Sequence, residues 1–123
     1  MRTMVFILLI IFLNTTSVKG SEAYNFVNQA GSTMSFTLDE QGAIKGNYTS
    51  ALGCGIGKQR PLVGWRNIKA ITFSVIFEEC GSVASWVGHS DDLVEIETIW
   101  TLVRGKESWD MKLTGVSHFK RVK

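Results

Sequence analysis

The strongest constraint on the fold is a hydrophobic repeat of two that runs along most of the chain after residue 20. In the stretch 94–103, the even positions from 94 to 102 hold Val, Ile, Thr, Trp and Leu, whereas the odd positions begin with Glu95 and Glu97. Successive side chains of a strand point to opposite faces, so this pattern predicts β-structure. The later odd positions are apolar, which predicts that part of the outer face is also covered by another subunit.

Turn-forming residues divide the chain after residue 20 into short strands. We predict strands at about 24–29, 32–38, 43–52, 62–66, 70–77, 82–89, 93–104 and 108–121. Eight short strands joined by tight turns favour an all-β, antiparallel up-and-down β-barrel, because closing the sheet removes its exposed edges. A β-sandwich is the alternative, but sandwiches use long crossover connections, and Gly53 to Pro61 is the single long connection here.

The N-terminus has the pattern of a secretory signal peptide. Arg2 precedes the apolar run Val5 to Leu13, and small residues follow up to Gly20. The run is about half of the roughly 20 apolar residues that a membrane anchor needs, so cleavage near Gly20–Ser21 is favoured over a transmembrane segment. We therefore expect residues 1–20 to be removed and residues 21–123 to form one secreted domain.

The charge balance argues against nucleic-acid and membrane partners. The chain has 13 Lys and Arg against 11 Asp and Glu, and Arg2 and Lys19 leave with the signal peptide, so the remaining domain is neutral. The basic residues Lys120, Arg121 and Lys123 at the C-terminus are interpreted as a solvated tail.

Two cysteines in a secreted domain predict one disulfide, between Cys54 and Cys80. Metal binding is the weaker interpretation, because the two cysteines and the histidines His89 and His118 lack metal-ligand spacing. Asn47 begins an Asn-Tyr-Thr sequon and is a candidate glycosylation site. No catalytic motif or phosphate-binding loop occurs in the sequence, so we expect a binding protein rather than an enzyme, without a cofactor.

Short motifs spread over the domain resemble one known family. They are, in chain order, Asn28 to Ser32, Gly46 to Ala51, Pro61 to Gly64, Phe73 to Val75, Ser85 to Gly88, Thr98 to Leu102, Trp109, and Gly115 to Phe119. Their order and spacing resemble the avidin and streptavidin family of biotin-binding proteins. The resemblance implies an avidin-like barrel that holds biotin in its open end, and a homotetramer. By family position and outward parity, Ile99, Thr114 and Val116 are the candidates for the contact between subunits.

The resemblance also implies roles for polar residues around the ureido ring of biotin. Asn28, Ser32 and Tyr48 would donate hydrogen bonds to the ureido oxygen, much as donors do in an oxyanion hole. Ser50 would accept from one ureido N–H. Ser117 stands where the family usually has Asn or Asp, which accept from the other N–H.

The apolar part of biotin would lie in an aromatic box. By resemblance, its wall consists of Phe77, Trp86, Trp100 and Leu102. Ser82 corresponds to a hydroxyl that reaches the valerate carboxylate. Trp109 corresponds to the tryptophan that a neighbouring subunit lends to the pocket.

Several positions depart from the family pattern. Phe77 stands where Trp is common, Ala84 replaces a threonine that would face the thioether sulfur, and Ser117 is shorter than the usual residue. These changes predict weaker binding than that of the tightest family members, by about 1–3 kcal/mol per imperfect polar contact. The alternatives are an avidin-like structural or interaction module with weak or no biotin binding, and a carrier of another apolar ligand. Without the resemblance, the aromatic residues would be ordinary core and the polar residues ordinary caps.

The cysteine positions suggest two roles for the disulfide. In the family, the loop that contains Cys54 folds over the pocket, and Cys80 lies in a turn at the same end of the barrel. A Cys54–Cys80 bond would tether this loop and reduce the entropy lost when ligand binds. A staple that only stabilises the barrel is the equal alternative.

Overall fold

The computed structural model describes residues 22–123, which form a closed antiparallel barrel of eight strands. The strands are β1 Tyr24–Asn28, β2 Thr33–Leu38, β3 Ala43–Thr49, β4 Gln59–Asn67, β5 Ala70–Phe77, β6 Ser82–His89, β7 Glu95–Arg104 and β8 Leu113–Val122. Each strand pairs with the next along the chain, and β1 pairs with β8 to close the sheet. The predicted all-β up-and-down barrel is confirmed.

Three predicted strand boundaries were wrong by three residues or more. The strand predicted for 43–52 ends at Thr49, because the Ser50 hydroxyl bonds to the backbone of Leu52 and turns the chain. The strand predicted for 62–66 begins earlier, at Gln59. Gln59 and Arg60 at its start are polar, which is typical of a loop, but Arg60 is buried there against Glu79 from the turn after β5.

The strand predicted for 108–121 is divided. A short 3₁₀ turn at Trp109–Met111 precedes β8, which begins at Leu113. Ser108 caps this turn, since its Oγ accepts a hydrogen bond from the backbone N–H of Asp110 at 3.2 Å.

The predicted signal peptide, residues 1–20, lies outside the described residues, as does its cleavage point. Within residues 22–123 there is no helix with the length and apolar character needed to cross a membrane.

One end of the barrel is filled by large apolar side chains. The fully buried residues of this closed end are Phe26, Phe36, Phe73, Phe119, Ile44 and Ile96. Phe26 stacks on Phe36 with ring centroids 5.6 Å apart, and Phe73 meets Phe119 edge to face at 5.7 Å. These contacts close one end of the barrel and leave the other end free to form a cavity.

Candidate functional site

A cavity of about 440 Å³ opens at the end of the barrel opposite the phenylalanine cluster. Ten of the eleven candidate ligand residues line it: Asn28, Ser32, Tyr48, Ser50, Phe77, Ser82, Trp86, Trp100, Leu102 and Ser117. They come from strands β1, β3, β5, β6, β7 and β8 and from the turns beside them. Strand parity explains their convergence, because each lies at an inward-facing position in the part of its strand nearer the open end of the barrel, or in a turn at that end.

Trp109 is the one candidate that does not line this cavity. It lies on the 3₁₀ turn before β8, is 63% exposed, and has the ammonium group of Lys112 4.5 Å from the centre of its ring. Trp109 therefore contributes nothing to the cavity of its own chain.

The side-chain amide of Asn28 is oriented by its own turn. Its Oδ1 accepts hydrogen bonds from the backbone N–H groups of Ala30 at 3.0 Å and Ser32 at 2.9 Å. The oxygen is thus occupied, and Nδ2 lies 3.5 Å from the Ser117 hydroxyl oxygen. Asn28 consequently presents its amide NH₂ group, a donor, toward the cavity.

Two serine hydroxyls are also constrained by the backbone around them. Ser32 Oγ accepts from the backbone N–H of Ala51 at 2.9 Å, which leaves its own hydrogen free to donate. Ser50 Oγ donates to the carbonyl of Leu52 and accepts from the Leu52 N–H at 3.3 Å. A hydroxyl has one hydrogen and two acceptor positions, so Ser50 retains a free acceptor.

The phenol of Tyr48 lies between these two hydroxyls. Burial raises the pKa of Tyr48 by more than the adjacent Ser32 and Ser50 side chains lower it. The phenol therefore stays protonated at neutral pH and can donate a hydrogen bond.

Aromatic rings form the wall of the cavity. The ring centroid of Trp86 lies 5.0 Å from that of Tyr48 and 5.3 Å from that of Phe73, on which it stacks. The buried Phe73 ring therefore holds Trp86 in place in the cavity wall. Phe77 meets Tyr48 edge to face at 6.3 Å. The indole N–H of Trp86 is buried and has no hydrogen-bond partner among residues 22–123.

Trp100 owes its place to a glycine on the next strand. A Cβ at Gly115 would lie 2.6 Å from the Trp100 indole, a distance that is too short for real contacts. The register pairs Trp100 with both Trp86 on β6 and Gly115 on β8. The absence of a side chain at Gly115 lets the Trp100 indole pack directly against this glycine.

The loop between β3 and β4 is tethered to the β5–β6 turn at the same end of the barrel. Cys54 in this loop and Cys80 in the turn after β5 form the predicted disulfide, with Cα atoms 6.2 Å apart. Both cysteines line the cavity. The disulfide prediction is confirmed, and the bond lies at the cavity mouth.

An ion pair between Arg60 and Glu79, which the sequence did not predict, is a second contact with the β5–β6 turn, here from β4. The Arg60 guanidinium, 3% exposed, makes a two-pronged contact with the carboxylate of Glu79 at 2.9 and 2.7 Å. It also lies 4.8 Å from the centre of the Phe77 ring and packs so closely on Gly55 that a Cβ there would collide with it. Arg60 and, more weakly, Lys58 lower the pKa of Glu79 to about 2. A charged residue in a polar stretch gave no signal of burial, because its partner comes from a different loop.

The polar groups at the cavity floor form a defined pattern. Asn28, Ser32 and Tyr48 supply three donors, and Ser50 and Ser117 supply acceptor oxygens. Such a set suits a small uncharged group with one carbonyl oxygen and flanking N–H groups. Within residues 22–123 no group of three or more His, Cys, Asp and Glu could hold a metal ion.

The comparisons with known proteins identify the family. The sequence profile of the Avidin family matches residues 16–122, and the chain therefore belongs to the avidin family. No curated protein sequence matches the chain.

Solved structures of similar fold include three complexes with biotin. A shwanavidin variant in complex with biotin is 30% identical, with a TM-score of 0.73 over 85% of this chain and 99% of that chain. The rhizavidin–biotin complex is 27% identical, with a TM-score of 0.75 over 86% of this chain and 97% of that chain. The bradavidin2–biotin complex is 28% identical, with a TM-score of 0.73 over 85% of this chain and all of that chain.

Proposed function

We propose that the protein binds biotin in the open end of its barrel, without catalysing a reaction. The observation that carries this proposal is the match between the cavity floor and a urea group. The ureido oxygen of biotin would accept from Asn28, Ser32 and Tyr48, and its N–H groups would donate to Ser50 and Ser117. Each buried urea atom would then have a partner, which avoids the cost of an unpaired polar group, about 1–3 kcal/mol.

The rest of the ligand follows from the walls of the cavity. Phe77, Trp86, Trp100 and Leu102 offer an apolar surface for the fused ring and the valerate chain. Ser82, near the cavity mouth, would hydrogen-bond to the valerate carboxylate. The biotin complexes of shwanavidin, rhizavidin and bradavidin2, which share this fold, support the assignment.

A second candidate is an avidin-like interaction module with weak or no biotin binding. Two cavity residues favour it: Ala84 offers a methyl group beside the ligand's sulfur position, and Ser117 has a short side chain whose oxygen already lies 3.5 Å from Asn28 Nδ2. Both would weaken the complex.

We further propose that the protein is secreted, sequesters biotin outside the cell and forms a homotetramer. The disulfide fits an oxidising compartment, and the exposed side chain of Asn47 on β3 is accessible for glycosylation. The outer face of β4 to β8 supports self-association, because it carries a row of exposed apolar residues. These are Val63, Trp65, Ile76, Val83, Val87, Ile99 and Val116. In a tetramer, Trp109 would reach the cavity of a neighbouring subunit.

Isothermal titration of the disulfide-intact protein with biotin, together with sizing chromatography, tests this function. We expect one biotin per chain and elution as a tetramer. A folded protein that produces no heat at 100 μM biotin would overturn the binding function and favour the interaction module. A compact monomer at micromolar concentration would overturn the proposal that Trp109 reaches a neighbouring subunit's cavity, but it would not affect the proposed biotin binding.

A further inference from the structure

The cavity mouth contains one charged side chain. Among the described residues that line the cavity, Arg104 alone carries a charge, and no carboxylate shares the lining. Arg104 is the last inward-facing residue of β7, four positions beyond Trp100, or about 13 Å further along the strand at 3.3 Å per residue. The positive charge therefore lies at the outer end of the cavity, away from the polar floor.

A hydroxyl lies beside this charge. The register of β6 and β7 pairs Arg104 directly with Ser82, whose side chain is 7% exposed and lines the same cavity. Directly opposite residues of an antiparallel pair have Cβ atoms about 4.5–5.5 Å apart. A guanidinium and a hydroxyl at this spacing can bind one carboxylate together.

The guanidinium of Arg104 is held only loosely. Within residues 22–123 its one ion pair is to Glu107, at 3.5 Å, and both side chains are about two-fifths exposed. Exposed pairs of this kind contribute little, so a ligand carboxylate can replace Glu107 at small cost. Arg60 differs in this respect, because it is buried and makes a two-pronged contact with Glu79.

We propose that Arg104 determines specificity at the cavity mouth by selecting a ligand whose tail ends in a free carboxylate over the corresponding amide. The inference rests on the proposed function and adds to it an ion pair between Arg104 and the ligand carboxylate. The planar guanidinium fork matches the two carboxylate oxygens, whereas a neutral amide gains no charge attraction and offers a single acceptor oxygen.

The test compares biotin with biotinamide, which differ only at the tail end. Titrations use the native protein, Arg104→Gln and the control Lys106→Gln, which removes the same charge two residues further along and outside the cavity lining. We expect the native protein and Lys106→Gln to bind biotin about 3- to 10-fold more tightly than biotinamide. In Arg104→Gln the two affinities should become equal through weaker binding of biotin, with biotinamide unchanged. Thermal melting of each variant verifies the fold.

A third variant sharpens the result. Glu107→Gln removes the competing carboxylate, so biotin should bind more tightly while biotinamide is unaffected. In 1 M NaCl, where the screening length is about 3 Å, the preference of the native protein should shrink.

The alternative outcomes have separate meanings. If Arg104→Gln keeps the native preference for biotin, or the native protein binds both ligands equally, the role of Arg104 is overturned and the proposed function stands. If the native protein binds neither ligand, the proposed function fails, and this inference fails with it.

Discussion

The two ends of the barrel are built from the same strands but filled differently. On β8, Phe119 closes one end while Ser117, two positions earlier, lines the cavity; on β3, Ile44 and Tyr48 divide in the same way. The closed end is apolar and tightly packed, which is the arrangement that stabilises a small domain. The open end has polar groups held by turns in place of that packing, so the close-packed core and the ligand-recognition groups occupy different layers of one barrel.

The greatest loss of stability should come from a substitution in the closed end. Phe36→Ala removes a ring that is 1% exposed and lies between Tyr24 and Phe26, so the free energy of unfolding should fall by about 3–5 kcal/mol. Denaturant unfolding measures this loss, and Phe36→Leu, which leaves a smaller void, should lose less. A fall of under about 1 kcal/mol in Phe36→Ala would contradict the assignment of stability to this end.

The next effect concerns the disulfide at the open end. Replacing Cys54 and Cys80 by Ser frees a 26-residue segment, which should lower the free energy of unfolding by about 3.5 kcal/mol at 25 °C through greater entropy of the unfolded chain. If the bond also tethers the loop over the cavity, biotin should dissociate faster from the folded variant. An unchanged dissociation rate would leave the disulfide as a staple only.

A smaller effect separates recognition from stability. Tyr48→Phe removes one donor hydroxyl from the cavity floor and keeps the ring, so biotin affinity should fall by about 1–3 kcal/mol with little change in unfolding. The matched control is Tyr24→Phe, the same chemical change outside the cavity lining, which should leave affinity unaltered. Equal affinities of the native protein and Tyr48→Phe would remove the phenol from the proposed ureido site.

The smallest effect depends on pH. The pKa of Glu79 is about 2 in the folded protein against an ordinary value of 4.5, because Arg60 binds the ionised carboxylate. A lowered pKa means that this stabilisation is complete above about pH 4.5 and is lost as the pH falls toward 2. The native protein should therefore lose more stability than Glu79→Gln over that interval, as measured by urea unfolding at each pH. Glu78→Gln should behave like the native protein, and parallel curves for the native protein and Glu79→Gln would contradict the pairing.

Much of the fold could be predicted from the sequence because strand alternation is local. The repeat of two in 93–104 placed Ile96 and Thr98 inside and Glu95 and Glu97 outside, as the structure has them. Strand ends were less predictable. Gln59 and Arg60, which begin β4, are polar residues of a kind that is typical of loops. Their place in β4 depends on a partner that local sequence does not reveal.

In the candidate site, the positions of the residues were predictable from the sequence, whereas the orientations of their polar groups were not. Parity and resemblance to the avidin family bring Ser32, Tyr48 and Ser50 to one cavity, and the structure agrees on their position. The direction in which each polar group faces was not predictable. It depends on hydrogen bonds to Ala30, Ala51 and other backbone atoms, which exist only once the turns have formed.

The class of fold, the number of strands and the residues that face inward could be predicted from local sequence, because side chains of neighbouring positions alternate between the two faces of a strand. Only the folded barrel buries Arg60. It also places Arg104 at the cavity mouth, where no other described lining residue carries a charge. The physical reason is that the free energy of a charge depends on what surrounds it, and those surroundings come from segments distant in the chain.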